Sequence, residues 1–230
     1  PEDVRVLTAG AMKSVVLEMV PAFEAKTGHK VQVRNDTAGG LAKRISAGEP
    51  FDLAVITPAV IDDLIKSGKI AGARVNLARV GMGVAVKEGS PRPDISTLDA
   101  FKHALTSARA VAYIDPKAGG SSGIYFDKLL ERLGIAEMVR PKARLKAGGY
   151  VAEALVSGEA DLAVHQISEI LPVKGAMLVG PLPAEVQNYT TYAAGIAAAA
   201  AAPGPAKALL DLLAGPEALA VLKAKGMERG

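Results

Sequence analysis

The sequence predicts an α/β protein with two lobes, each built as a mostly parallel sheet flanked by helices, and with two crossings of the chain between them. Three observations support this prediction. Short apolar strands alternate with amphipathic stretches of helical length. The alternation restarts after a Gly and Pro break at residues 89–93, and the C-terminal part is typical of a return to the first lobe.

The first lobe opens with a strand, a helix and a second strand. Val4 to Thr8 predicts the first strand, and the small residues Ala9 to Ala11 lead into an amphipathic helix over Lys13 to Lys26. Lys30 to Arg34 then alternates as the second strand. A helical crossover of this length makes the two strands parallel.

The same pattern is repeated once more in the first lobe. A loop over Asn35 to Gly40 precedes a helix predicted for Leu41 to Ala47. Phe51 to Ile56 is continuously apolar, which is typical of a strand covered on both faces. Another helix is predicted for Ala59 to Ser67, before Gly68.

The second lobe is expected to repeat this plan. The apolar segment Val80 to Val86 marks the first crossing between lobes. The elements that follow are predicted as a strand over Ala110 to Ile114, helices over Ser122 to Leu133 and Tyr150 to Ser157, and a strand over Asp161 to Gln166.

The C-terminal part is expected to rejoin the first lobe. Tyr189 to Ala200 predicts a return strand, and helices follow over Pro205 to Ala214 and Pro216 to Lys225. The predicted lobes are therefore 1–81 with 188–230, and 82–187. Two crossings predict a hinge and a ligand cleft at the carboxyl ends of the strands.

Composition and motifs argue against several classes of function. The 230 residues carry a formal net charge of +3, and the basic residues are scattered without interleaved aromatics, which disfavours nucleic-acid binding. The chain has no Cys, and its three histidines, His29, His103 and His165, lack metal-ligand spacing. No G-x-S-x-G elbow accompanies the serines. We therefore expect no metal, no cofactor and no catalysis.

Three segments, Thr8 to Met12, Asp36 to Gly40 and Pro116 to Gly123, follow strands and open helices. Helix N-termini offer unpaired N–H groups and partial positive charge, which favours an anionic guest. Ser121 and Ser122 would add exposed hydroxyl donors. The alternative is that these small residues only form turns and helix caps.

Four segments carry a likeness to a known family: Val6 to Met12, Gly40 to Leu53, Ser122 to Tyr125 and Gly158 to Val164. They resemble the periplasmic molybdate-binding proteins of ABC importers, and the likeness covers nearly the whole chain. The resemblance implies a type II periplasmic binding protein fold and a periplasmic monomer that closes about a hinge. It also implies a small anionic solute and a membrane ABC permease as partners. The chain starts at Pro1 without a signal peptide, which we expect to have been removed.

The positions that bind the oxyanion in this family differ here. Family serines that contact molybdate fall at Ala11 and Gly39, and a family tyrosine falls near Gln166, beside His165. Each lost hydroxyl removes one hydrogen bond to a tetrahedral oxyanion, which would weaken its binding by about 1 to 3 kcal/mol. The smaller side chains also leave more room, so an organic carboxylate is the expected solute.

The residues predicted to line the ligand site are small, hydroxyl-bearing, aromatic or amide side chains at these strand ends. They are Ala11, Met12, Thr37, Gly39, Gly40, Thr57, Ser121, Ser122, Tyr125, Gly148, Tyr150, His165 and Gln166.

Two alternatives remain open from the sequence. A molybdate or tungstate binder could rely mainly on backbone N–H groups. The effector-sensing domain of a transcription regulator shares the two-lobed plan, but it would carry an N-terminal helix-turn-helix, whereas this chain starts with the strand at Val4.

Overall fold

The computed structural model describes residues 2–230, and the chain forms two compact units. Unit 1 comprises the chain up to Arg79 together with Thr190–Gly230, and unit 2 comprises Val80–Tyr189. Each unit contains one sheet with helices packed on it, which confirms the predicted α/β fold class. Among residues 2–230, no helix is both long enough and apolar enough to cross a membrane.

The strands and helices alternate along most of the chain. The strands are β1 Asp3–Ala9, β2 Lys30–Asp36, β3 Leu53–Ile56, β4 Ile70–Val80, β5 Met82–Lys87, β6 Val111–Ile114, β7 Ala143–Lys146, β8 Leu162–Gln166, β9 Ala176–Pro181, β10 Thr190–Ala197 and β11 Met227–Glu228. The helices are α1 Gly10–Thr27, α2 Ala38–Ser46, α3 Pro58–Lys66, α4 Leu98–Ser107, α5 Ser121–Arg132, α6 Ala136–Val139, α7 Glu153–Val156, α8 Ile167–Ile170, α9 Pro203–Ala214 and α10 Leu219–Ala224.

The sheet of unit 1 has six strands in the order β11-β4-β10-β3-β1-β2. β1 pairs in parallel with β2 and β3, and the returning strand β10 pairs antiparallel with β3. Helices α2 and α3 cover one face of this sheet through Leu41, Ile45, Ile61 and Leu64. The return strand therefore lies inside the sheet, and unit 1 is incomplete without it.

A buried carboxylate, that of Asp52, joins the two chain segments of unit 1. Its Oδ2 accepts hydrogen bonds from the Arg5 backbone N–H at 2.8 Å and from Arg5 Nε at 3.2 Å. Its Oδ1 accepts from the Ala202 N–H at 3.1 Å. Burial raises the pKa of Asp52, but these hydrogen bonds outweigh it and hold the pKa below its ordinary value. The ionised form is therefore the one that the fold stabilises.

The sheet of unit 2 has five strands in the order β7-β6-β8-β5-β9. β6 pairs in parallel with β7 and β8, whereas β5 pairs antiparallel with both β8 and β9. Helices α4 and α5 cover one face, where Tyr113 and Phe126 meet edge to face with centroids 4.8 Å apart. Helices α7 and α8 cover the other face through Leu155 and Ile170.

Helix α5 lies unusually close to the end of β6, and Gly123 makes this possible. A Cβ atom on Gly123 would lie 2.2 Å from the carbonyl oxygen of Ile114. Only glycine fits at that distance, because the obstacle is backbone. The contact fixes the first turn of α5, which carries Ser121 and Ser122, over the carboxyl end of β6.

Some element boundaries differ from the predicted ones. The predicted loop Thr8 to Met12 is not a loop, because β1 continues to Ala9, whose φ of −58° and ψ of 147° lead straight into α1. The predicted helix Tyr150 to Ser157 is shorter, since a bend and the positive φ of 74° at Gly149 precede it and helical structure begins only at Glu153. The sequence pattern does not predict β4, α4, α6, β7, α8, β9 or β11.

Replacing Gly123 with alanine tests the close approach of α5 to β6. Gly123→Ala is expected to lower the free energy of unfolding by about 3 kcal/mol, which is at the upper end of the cost of overpacking. The cost is high because the obstacle, the Ile114 carbonyl, is backbone and cannot rotate away as a side chain could. The matched control is Gly204→Ala in α9, where a Cβ meets no heavy atom within 4 Å and no destabilisation is expected. Urea midpoints measure both. Equal midpoints for the two variants would contradict the packing described here.

Asp52→Asn tests the buried carboxylate. At neutral pH it should lower the free energy of unfolding by about 1 to 3 kcal/mol, because an amide offers one acceptor oxygen where the carboxylate offers two. The folded pKa is lowered, so this contribution is present above the ordinary aspartate pKa and is lost as the pH falls through the folded pKa.

The urea midpoints of wild type and Asp52→Asn should therefore converge below about pH 4. Asp63→Asn, at an exposed position on α3, serves as the control and should change stability by less than about 0.5 kcal/mol. A gap between wild type and Asp52→Asn that stays constant with pH would contradict the assignment.

Candidate functional site

Three helices begin along one edge of unit 1. Strands β1, β2 and β3 are parallel neighbours, so their carboxyl ends share an edge, which we call the unit 1 edge. Each strand is followed within two residues by a helix, α1, α2 or α3. None of these helices has an acidic residue in its first turn. The partial positive charge at such helix ends favours a negatively charged group.

The predicted residues of α1 and α2 are placed differently along this edge. Ala11 and Met12 are buried in the first turn of α1. Thr37 is the N-cap of α2, and its hydroxyl accepts the Gly40 N–H at 3.0 Å. A Cβ on Gly40 would lie 2.7 Å from the carboxylate of Asp36, so a larger residue here would displace that side chain. Gly39, between them, is partly exposed.

Asp36 changes the electrostatics at the start of α2. Its carboxylate accepts the Thr37 N–H at 2.8 Å and pairs with Arg44 at 3.4 Å. A carboxylate is therefore already present at this helix N-terminus, a feature that the sequence reading had not used. At α3 the N-cap is Thr57, whose side chain makes no capping hydrogen bond.

The corresponding edge of unit 2 is formed by the carboxyl ends of β6 and β8, and we call it the unit 2 edge. After β6, a single 3-10 turn over Pro116–Ala118 is capped by Asp115, which accepts the Lys117 N–H at 3.0 Å. Helix α5 then begins at Ser121 without an acidic residue in its first turn. Ser121 is partly exposed, whereas Ser122 is buried, contrary to the expectation that both hydroxyls are exposed.

Two further predicted residues have mainly structural surroundings. The hydroxyl of Tyr125 donates to the carbonyl of Val186 at 2.6 Å, which ties α5 to the segment before β10. Gly148 is exposed in the bend between β7 and α7. Neither observation places these residues against a ligand.

His165 and Gln166 end β8, and both are only 1% exposed. His165 Nε2 lies 2.9 Å from Glu169 Oε2 in α8, and the Glu169 side chain is itself buried. His165 Nδ1 is buried and has no hydrogen-bond partner among the described residues. A buried imidazole with one nitrogen on a carboxylate and the other unpartnered can accept or deliver a proton.

Tyr150 belongs to the same cluster. Burial, followed by the nearby charges of Glu169 and Glu153, raises the pKa of Tyr150 to about 12. The sequence reading included Tyr150 and His165 but missed Glu169. The signal that could have found it is the spacing of four residues from His165 across the start of a helix.

A separate groove of about 820 Å³ lies at the opposite edge of unit 2, and none of the predicted site residues lines it. Its charged or titratable walls are Lys87, His103 and Arg109 together with Asp94, Asp99 and Asp161. Two cationic side chains face three carboxylates there, so this groove disfavours an anion, whereas the helix ends at the other edge favour one. Within residues 2–230, no cluster of three or more His, Cys, Asp or Glu side chains could hold a metal ion.

Comparisons with known proteins cover the whole fold. The sequence profile described as bacterial extracellular solute-binding protein matches residues 4–228. A relative named aconitate isomerase, from a Pseudomonas species, is 33% identical over 230 residues, which span 97% of this chain and 86% of the relative. The molybdate-binding protein ModA of Azotobacter vinelandii is 27% identical over 238 residues, which span 97% and 89% of the two chains.

The solved structure of the Azotobacter vinelandii periplasmic molybdate-binding protein matches with a TM-score of 0.82. It is 20% identical in sequence, and 99% of each chain is covered. At this identity the match shows the fold alone. The family profile, the ModA sequence match and this shared fold together confirm the predicted resemblance to periplasmic molybdate-binding proteins.

Proposed function

The chain belongs to the family of bacterial extracellular solute-binding proteins, and we propose that it captures a small organic carboxylate. In this proposal the protein works outside the cytoplasm as a monomer and presents the bound solute to a membrane ABC permease. It needs neither a cofactor nor nucleic acid. Its main role is binding, as in most of its family.

The observation that carries the proposal is the unit 1 edge. Three parallel neighbouring strands lead into three helices without acidic first turns, so three positive helix ends share one edge. The end of α2 already has the Asp36 carboxylate beside it, which pairs with Arg44, and the ends of α1 and α3 have no acidic residue in their first turns. The start of α5 adds a similar N-terminus at the unit 2 edge. We propose that such helix N-termini donate the hydrogen bonds that hold the anion.

Two features favour a carboxylate over molybdate. Ala11 and Gly39 stand where the molybdate-binding proteins have serine hydroxyls, so fewer donors face a tetrahedral oxyanion. The relative at 33% identity is named for aconitate, a tricarboxylate, which fits a site with small side chains at these positions. Molybdate or tungstate, held by backbone N–H groups, remains the runner-up ligand.

Calorimetric titration with cis-aconitate, citrate and succinate tests the proposal. Replacing both Ser121 and Ser122 by alanine should weaken binding of the carboxylate that binds best by about 2 to 4 kcal/mol, with some allowance for the coupling of adjacent groups. Ser107→Ala, at an exposed position on α4, is the matched control and should bind like wild type. Circular dichroism checks that each variant is folded.

Two outcomes would count against this function. If none of the three carboxylates gives a binding isotherm, the solute class is wrong. If the double variant binds as tightly as wild type, the carboxylate is not held by the start of α5.

A second candidate function is isomerisation of an unsaturated carboxylate, favoured by the buried pair of His165 and Glu169. In such a reaction a base removes a proton from the methylene carbon of cis-aconitate. The electron pair forms a new double bond to the central carbon, and the far carbon of the old double bond takes up a proton. No oxidant and no second substrate are consumed, and the Nδ1 lone pair of His165 is a suitable base.

Proton NMR of cis-aconitate incubated with the protein distinguishes binding from isomerisation. An isomerase should convert cis-aconitate to the trans isomer faster than buffer alone, and His165→Gln should abolish this conversion while carboxylate binding remains measurable. A rate equal to that of buffer would remove the isomerase candidate and leave the binding function intact. Conversion that persists in His165→Gln would contradict the role of the pair.

A further inference from the structure

We propose that the buried pair of His165 and Glu169 takes up one proton when the protein binds a carboxylate anion. The inference rests on the proposed function, and it adds that the protein binds one proton together with the solute. It follows from the hydrogen bonding, burial and strand position of these two side chains.

The pair lies at the unit 2 edge, on the face of the sheet covered by α7 and α8. Side chains alternate along β8, so His165 shares a face with Ala163, which packs against Ile170 of α8. His165 is the second-last residue of β8, and the helix that follows, α8, contributes Glu169. The imidazole therefore stands at the strand end where ligands of open α/β sheets are bound.

The hydrogen bond decides which nitrogen carries hydrogen when the pair lacks the extra proton. An ionised carboxylate only accepts, so His165 Nε2 must be the donor to Glu169 at 2.9 Å. Nδ1 then holds a lone pair, and the pair carries one negative charge. Both features oppose an incoming anion.

One added proton reverses both features. With it, Nδ1 carries an N–H that can donate to a carboxylate oxygen, and the net charge of the pair becomes zero. The proton belongs to the coupled pair, whichever of its atoms holds it. A buried Nδ1 without a partner in the described residues is consistent with a donor whose acceptor is the solute.

The other titratable side chains known to lie near the pair are Tyr150 and Glu153. Helix α8 contributes Glu169, and the segment around α7 contributes Tyr150 and Glu153. Tyr150 has a pKa of about 12, so its phenol stays neutral near neutral pH. On the neighbouring strands, β5 places Gly83 opposite His165, and β6 presents Ala112 on the same face.

The experiment is calorimetric titration of the protein with cis-aconitate in two buffers of different ionisation enthalpy, HEPES and Tris, between pH 7 and 8.5. The dependence of the observed heat on the buffer gives the number of protons taken up. We expect close to one proton per bound anion, and an affinity that falls by up to about tenfold for each unit of rising pH.

Three variants identify the source of the proton. His165→Gln keeps a polar side chain but cannot titrate, so proton uptake should be lost. Glu169→Gln removes the negative charge, so uptake should also be lost while binding becomes nearly independent of pH. His103→Gln changes an exposed histidine on α4 and should leave the uptake as in wild type.

The outcomes separate the inference from the proposed function. Binding of cis-aconitate by wild type without proton uptake would overturn the inference and leave the function standing, and this test does not depend on any variant folding. Uptake that persists in both His165→Gln and Glu169→Gln would overturn it as well. Absence of binding by cis-aconitate, citrate and succinate alike would overturn both.

Discussion

Unit 1 depends on the buried carboxylate of Asp52. The residue precedes β3, and its side chain holds the backbone of β1 at Arg5 and the backbone of the returning segment at Ala202. Its own backbone continues these links, since its N–H donates to the Arg5 carbonyl at 2.8 Å and its carbonyl accepts the Ala197 N–H at 3.0 Å. A buried charge is tolerated only when such donors surround it. The side chain and backbone of Asp52 together thus link β1, the start of β3 and the end of β10.

The two edges use the same backbone geometry but carry different side chains. At the unit 1 edge, Ala11 is buried, and the Asp36 carboxylate lies 2.7 Å from where a Cβ on Gly40 would be. At the unit 2 edge, Gly123 presses α5 onto β6, while β8 brings a titratable pair. Backbone N–H groups suit many anions, whereas His165 and Glu169 add a group that responds to protonation.

The sequence alone predicted the fold class and most strands, because apolar runs such as Phe51 to Ile56 and the alternation in Lys30 to Arg34 follow directly from burial. It also placed Ser121 and His165 just after or at the end of a strand and Tyr150 at the start of a helix. It missed the straight passage from β1 into α1, since the backbone angles of Ala9 leave no signal in residue type. It missed Glu169 because a lone carboxylate in a short helix is normally solvated, and only the folded chain shows it buried against His165.

The central claim is that this member of the family selects an organic carboxylate rather than a tetrahedral oxyanion. The most direct measurement is equilibrium competition between molybdate and cis-aconitate for the same protein, followed by the amount of molybdenum retained on dialysis. The account predicts that cis-aconitate binds one to one and displaces any bound molybdate. Submicromolar binding of one molybdate per chain that a large excess of cis-aconitate, citrate or succinate does not reduce would contradict it.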